Sequence, residues 1–114
     1  MGDLSPHFSR SEFRCRHCRQ LVGPHPQLLL VLEGIRALTA RPLVVVSGYR
    51  FATHNRAIGA VVTSQHVLGT AADIGQGLVT LSGARALGAV GIGVKDGWAT
   101  HVDVRTGGPA VWQY

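Results

Sequence analysis

Two imidazoles and a carboxylate stand out in this chain of 114 residues: His66 and Asp73, seven positions apart, and His101 further on. Residues 69–75 read as a short strand. Alternate side chains of a strand share a face, so Ala71 and Asp73 point the same way, as do His101 and Asp103 in His101-Val102-Asp103. Two such strands side by side, with His66 delivered by the loop before the first, would gather two imidazoles and a carboxylate around one point. Three protein ligands leave the fourth tetrahedral position of a zinc ion open for water, which separates a catalytic site from a structural one. The chemistry that follows is metal-assisted hydrolysis. Spacing alone is only suggestive, because a chain with six histidines contains His/Asp pairs by chance. Ordinary polar residues at strand ends are the simpler reading of any one pair.

A wider pattern surrounds these residues. Ser47-Gly48-Tyr49-Arg50, then Asn55, Gly59, Ser64-Gln65-His66, Gly69 and Ala71-Ala72-Asp73 resemble the signature of the zinc D-alanyl-D-alanine carboxypeptidase family. Its relatives include phage endolysin peptidases and D-Ala-D-Ala dipeptidases, and hedgehog-type signalling domains share the fold. The later run Gly91-Ile92-Gly93-Val94, then His101-Val102-Asp103-Val104-Arg105 and Trp112, is similar to the end of the same domain. The likeness extends from about Phe8 to Trp112. It implies one zinc ion per chain, held by His66, Asp73 and His101, and a hydrolase acting on D-amino-acid peptide bonds in peptidoglycan stem peptides. It also implies substrate contacts from Ser64 and from Arg50, sixteen residues before His66. A planar guanidinium suits that task, since it can hold a carboxylate with two parallel hydrogen bonds.

The chain departs from the pattern at one position. Well-known relatives carry an acidic residue three positions before the second zinc histidine, and here that position is Trp98. A general base is needed to take a proton from the attacking water. Asp103, two residues from His101 on the same strand face, is the first substitute. Asp96, on a turn that could fold back over the site, is the second. A salt bridge to Arg50 or Arg105 is the competing role for Asp103. If no base exists, the alternative is a catalytically silent zinc-binding domain that recognises cell-wall peptides or a protein partner.

Composition bounds the remaining classes. With 46% hydrophobic and 15% charged residues the chain is globular, and disorder is excluded. A net charge of +5, with ten of eleven basic residues being Arg, suits a polyanionic partner such as nucleic acid, an acidic membrane or a wall polymer. A nucleic-acid role would rest on charge alone, so the expected partner is the stem peptide. The longest apolar run, Leu28 to Leu32, is far too short to span a bilayer. Met1 to Pro6 has no secretory character. Synthesis in the cytoplasm, with release to the wall by lysis or phage delivery, is expected. Cys15 and Cys18 bracket His17 in half of a zinc clip and are read as partly buried thiols. His7, His17 and His25 offer a minor second metal site.

The elements that must position the site follow from periodicity and punctuation. Ser9 and Glu12 form a capping box, with Phe8 and Phe13 as its hydrophobic staple. From Pro26 to about Thr39 the residues Leu28, Leu29, Leu32, Ile35 and Leu38 recur at helical spacing. Leu30 and Val31 widen that stripe, so burial over much of the helix girth is expected. Leu43 to Ser47 is expected as a buried strand, Phe51 to Gly59 as a short helix and Leu78 to Leu87 as a weak helix interrupted by Gly83. Val90 to Val94 and Trp98 to Arg105 pair through the hairpin turn Lys95-Asp96-Gly97, and Val111 to Tyr114 closes an edge. This order predicts one α+β domain over residues 1–114, with helices packed on one side of a small antiparallel sheet. The resemblance implies the same hedgehog/D,D-peptidase-like architecture.

Overall fold

The structure is a computed structural model that describes residues 2, 4–14, 24–48 and 69–114, and of Ser47 the backbone only. The chain opens with a turn closed by a bridge between Ser5 and Phe8, then a single 3-10 turn, Arg10–Glu12. Glu12 Oε2 accepts from the Ser9 backbone N–H at 2.7 Å, as the Ser-x-x-Glu pattern predicts. Phe8 and Phe13 are both buried, with ring centroids 6.1 Å apart.

Helix α1 spans Pro26–Thr39, with Pro26 in its first turn and the His25 ring as cap, Nδ1 accepting from Gln27 N–H. It ends where Ala40 turns left-handed at φ 53°, ahead of Pro42. Its buried residues are Leu28, Val31, Leu32 and Ile35, the stripe i, i+3, i+4, i+7. Leu30 and Leu38 are each 64% exposed, so burial is confined to one face, contrary to the wider burial expected. Helix α2 is shorter than expected, Leu81–Ala86. Thr80 Oγ1 caps it by accepting from Gly83 N–H, and Gly83 lies within the helix instead of interrupting it.

The strands are β1 (Val45–Ser47), β2 (Ala71–Ile74), β3 (Gly91–Lys95), β4 (Trp98–Asp103) and β5 (Ala110–Gln113). They form one sheet in the order β1-β2-β4-β3-β5. β1, expected to be buried, is an edge strand, which leaves Val44 and Val46 exposed. The β3–β4 turn has Asp96 at φ 51° and Gly97 at φ 84°, the paired positive angles that an Asp-Gly hairpin turn requires.

The expected all-antiparallel sheet needs correction: β5 pairs with β3 in parallel. Asp103 at the end of β4 and Ala110 at the start of β5 both register against Gly91. The connection 104–109 therefore wraps around the start of β3 and lays β5 on its far side.

The core lies on one face of this sheet. Val45, Ala72, Ile74, Ile92, Val94, Ala99 and Val102 pack in one cluster with the buried stripe of α1, Ala84 of α2, Phe8 and Phe13. Among the described residues, no helix is long and apolar enough to cross a membrane.

Candidate metal centre

The period of two that sends Ala72 and Ile74 into the core leaves Ala71 and Asp73 on the opposite face. The β2–β4 register then sets Asp73 across from His101 and Ala71 across from Asp103. On this face His101 Nδ1 lies 3.1 Å from Asp73 Oδ1, and its Nε2 lies 2.8 Å from Asp103 Oδ2. Each ring nitrogen thus has its own carboxylate. Asp103 is acceptor-only when ionised, so it takes a hydrogen bond from Nε2–H, and Nδ1 faces Asp73, to which it donates when the ring is protonated.

Asp103 is fully buried, yet its carboxylate is saturated. Oδ1 accepts from the Arg105 backbone N–H at 3.1 Å and from Nε at 2.9 Å, and Oδ2 accepts from Nη2 at 2.7 Å. Burial by itself pushes the Asp103 carboxyl up, but the hydrogen bonds from His101 and Arg105 outweigh it and hold the group well below the usual carboxylate range. For His101 burial pushes the imidazole down, while hydrogen bonds with Asp103 and Asp73 raise it above its ordinary value.

An aromatic wall completes the arrangement. The Trp112 ring packs against His101 with centroids 4.9 Å apart at a 56° tilt, and the Arg105 guanidinium lies 5.2 Å from the Trp112 ring centroid. Two glycines on the same face make this possible. A Cβ at Gly91 would fall on the Asp103 carboxylate and the Arg105 guanidinium, and one at Gly93 would sit 2.8 Å from both Trp112 and Tyr114. The Gly-x-Gly spacing in β3 is therefore what makes room for two crowded columns, one of which brings Trp112 beside the site.

Tetrahedral zinc bonds of about 2.0–2.1 Å put neighbouring donor atoms roughly 3.3 Å apart. The 3.1 Å between Asp73 Oδ1 and His101 Nδ1 fits two corners of such a shell. His66, Arg50 and Ser64 lie outside the described residues, as do Cys15, His17, Cys18 and the helix expected over Phe51 to Gly59. Among the described residues, no group of three His, Cys, Asp or Glu is arranged to hold a metal. Of the minor site considered at His7, His17 and His25, the two described rings, His7 and His25, have Nδ1 committed to Glu33 and to the α1 cap.

The two substitute bases fare differently. Asp103 reaches the cluster, but it sits behind His101, buried, with both oxygens occupied by donors; this geometry suits holding a ring in place and not abstracting a proton from water. Asp96 does not reach the cluster. Its turn precedes β4, and Trp98, the first residue of that strand, is already roughly 10 Å along it from His101 at about 3.3 Å per residue. Its carboxylate accepts instead from Gln76 Nε2 at 3.4 Å. Trp98 shares a depression with Leu38, Thr39, Arg41, Gly77 and Leu78, none of which belongs to the cluster.

No match was found among curated proteins. A family model described as peptidase M15 matches residues 6–103, ending on the buried aspartate that holds His101. The match takes in most of the chain, including the strands that carry Asp73 and His101, and the chain belongs to the peptidase M15 family.

Proposed function

We propose that the protein is a zinc-dependent metallopeptidase that hydrolyses D-amino-acid-containing peptide bonds of bacterial peptidoglycan, on a D,D-peptidase-like fold. The observation that carries this reading is the convergence of Asp73 Oδ1 and His101 Nδ1 at 3.1 Å, with the imidazole fixed from behind by a buried carboxylate. Membership of the peptidase M15 family, whose members are generally zinc-dependent, supports it. In this reading Asp73, His101 and His66 hold one zinc ion, and Arg50 and Ser64 bind the stem peptide. When bound, zinc supplies Lewis-acid activation of water and of the scissile carbonyl.

The chain's own contribution is preorganisation. Asp103 keeps Nε2 of the His101 ring protonated, so that Nδ1, facing Asp73, is the nitrogen a metal would take, and Arg105 neutralises Asp103 so that this carboxylate can stay ionised in a buried place. The cluster occupies the sheet face opposite the core, with Asp73 as its partly exposed member.

One observation favours a second reading, a zinc-binding domain that recognises wall peptides or a protein partner without turnover. Trp98 stands where an acidic residue is expected, and Asp103 is saturated, so neither described position offers a free base.

Zinc per chain, measured after purification without added metal, tests the site. One equivalent in the wild type, lost in His66→Ala, Asp73→Ala and His101→Ala, is expected; zinc that survives all three changes contradicts the assignment. Release of fragments from purified peptidoglycan, abolished by chelator and by His66→Ala, then separates the peptidase from the silent domain.

A further inference from the structure

Both register shifts in the sheet flank Asp73. In β1 the step from Val45 to Ser47 is matched by the single step from Ile74 to Asp73 in β2, so Val46 is an extra residue. In β4 the step from Ala99 to His101 is matched by the single step from Val94 to Gly93 in β3, so Thr100 is extra. An extra residue of this kind re-aims a side chain and is common beside active sites.

Both extra residues line the same groove. An open depression of about 360 Å³ is bounded by Val46, Asp73, Ile74, Thr100, Lys95 and Tyr114. In sheet order these belong to β1, β2, β4 and β3 and to the residue that follows β5, so the groove runs across the strands from one edge of the sheet to the other with Asp73 in its wall. At the β5 end Tyr114 is anchored by its backbone N–H to the Val94 carbonyl at 2.9 Å, and its ring lies over Gly93. Lys95 is the only lysine in the chain and is exposed. It stands on the same face of β3 as Gly93 and Gly91, two and four residues back.

We propose that this groove is the track for the substrate peptide, and that Lys95, with Tyr114 beside it, binds an internal free carboxylate of that peptide. The inference rests on the peptidase reading above and adds to it a specificity-determining residue. The groove is continuous with the candidate metal centre through Asp73, and its β3–β5 end carries a flexible ammonium next to an aromatic ring. Such a pair suits a carboxylate on an otherwise uncharged peptide. The terminal carboxylate falls to Arg50 by resemblance, which leaves Lys95 for a second one further along the chain.

The test uses zinc-loaded protein and two synthetic stem peptides that end in D-Ala-D-Ala and differ only at an internal D-glutamyl residue, free in one and amidated in the other. Cleavage is followed for both, and binding is measured calorimetrically with the same pair carrying an N-methylated scissile amide. The wild type is expected to favour the free carboxylate by about two- to fivefold in KM and in Kd, the range of a partly solvated ion pair. Lys95→Ala erases that preference and Lys95→Glu reverses it. A preference that survives Lys95→Ala, or an equal loss on both peptides, overturns the subsite while leaving the peptidase intact. A Lys95-dependent preference in binding without cleavage of either peptide supports the subsite and removes the peptidase reading.

Discussion

Two imidazole–carboxylate pairs in this molecule use the same chemistry to different ends. At the surface, Glu33 of α1 accepts from Ser5 Oγ at 2.7 Å and from His7 N–H at 2.8 Å, and it lies 2.6 Å from His7 Nδ1. On the sheet, Asp103 takes His101 Nε2 and three donors from Arg105. The side chains of the first pair are 47% and 21% exposed, and those of the second 7% and 0%. The surface pair ties the opening turn to α1 while water still serves part of each group. The sheet pair has no such help, so every lone pair of Asp103 must be satisfied by protein. That demand fixes the His101 ring, and a fixed ring is what a metal centre requires.

The largest effect that would sharpen this contrast comes from truncating each carboxylate. Asp103→Ala leaves a buried imidazole and a half-buried guanidinium without this carboxylate and is expected to cost about 3–5 kcal/mol. Glu33→Ala is expected to cost about 1 kcal/mol or less, as exposed pairs do. Denaturant midpoints of the two variants decide it, and equal losses would break the comparison. Next in size is Gly91→Ala, whose added methyl meets the Asp103 carboxylate and the Arg105 guanidinium. A loss of about 1–3 kcal/mol is expected, the ordinary cost of overpacking. Gly75→Ala, whose Cβ would meet only Leu78 at 3.7 Å, serves as the control and should be near neutral.

How much of this was legible in the sequence differs between the two faces of the sheet. The facing of Asp73, His101 and Asp103 follows from the period of two, and the hairpin follows from Asp96-Gly97, because both are local rules. The parallel seating of β5 did not show itself, since the path of residues 104–109 around β3 depends on which strand edge is left open. Burial of α1 was overread at Leu30 and Leu38, because hydrophobicity marks what can be buried and the position of the sheet decides what is. The salt bridge between Asp103 and Arg105 was foreseeable as a competing role. The contact between Trp112 and His101 was not, as it arises only once β5 lies beside β3.

That contact gives a smaller and more specific prediction. Trp112→Ala removes the ring that limits His101 on one side and, if His101 holds zinc as proposed, is expected to weaken its binding about tenfold, the lower range for residues that support a ligand from behind. Trp112→Phe keeps an aromatic surface and should recover most of the affinity. Chelator competition measures both variants, and melting of the zinc-free proteins separates loss of the ring contact from general destabilisation. If alanine and phenylalanine behave alike, the wall plays no part in holding His101.

The smallest expected effect lies in the pH dependence of the surface pair. Burial of Glu33 works against its ionisation, but hydrogen bonds from Ser5 and His7 outweigh this and hold its carboxyl below the usual range. A carboxyl whose folded pKa is depressed contributes stability that is fully present above its unfolded value, about 4.3, and is lost as pH falls through the folded value. Wild type and Glu33→Gln should therefore differ by about 0.5–1 kcal/mol at pH 6, and the difference should shrink as pH falls below the unfolded value and through the folded one, an effect that salt reduces. Unfolding curves across pH 3 to 6 check it. A difference that does not shrink as pH falls from 6 to 3 would mean that Glu33 acts through packing and not through charge, and the surface pair would then resemble the buried one more closely than its exposure implies.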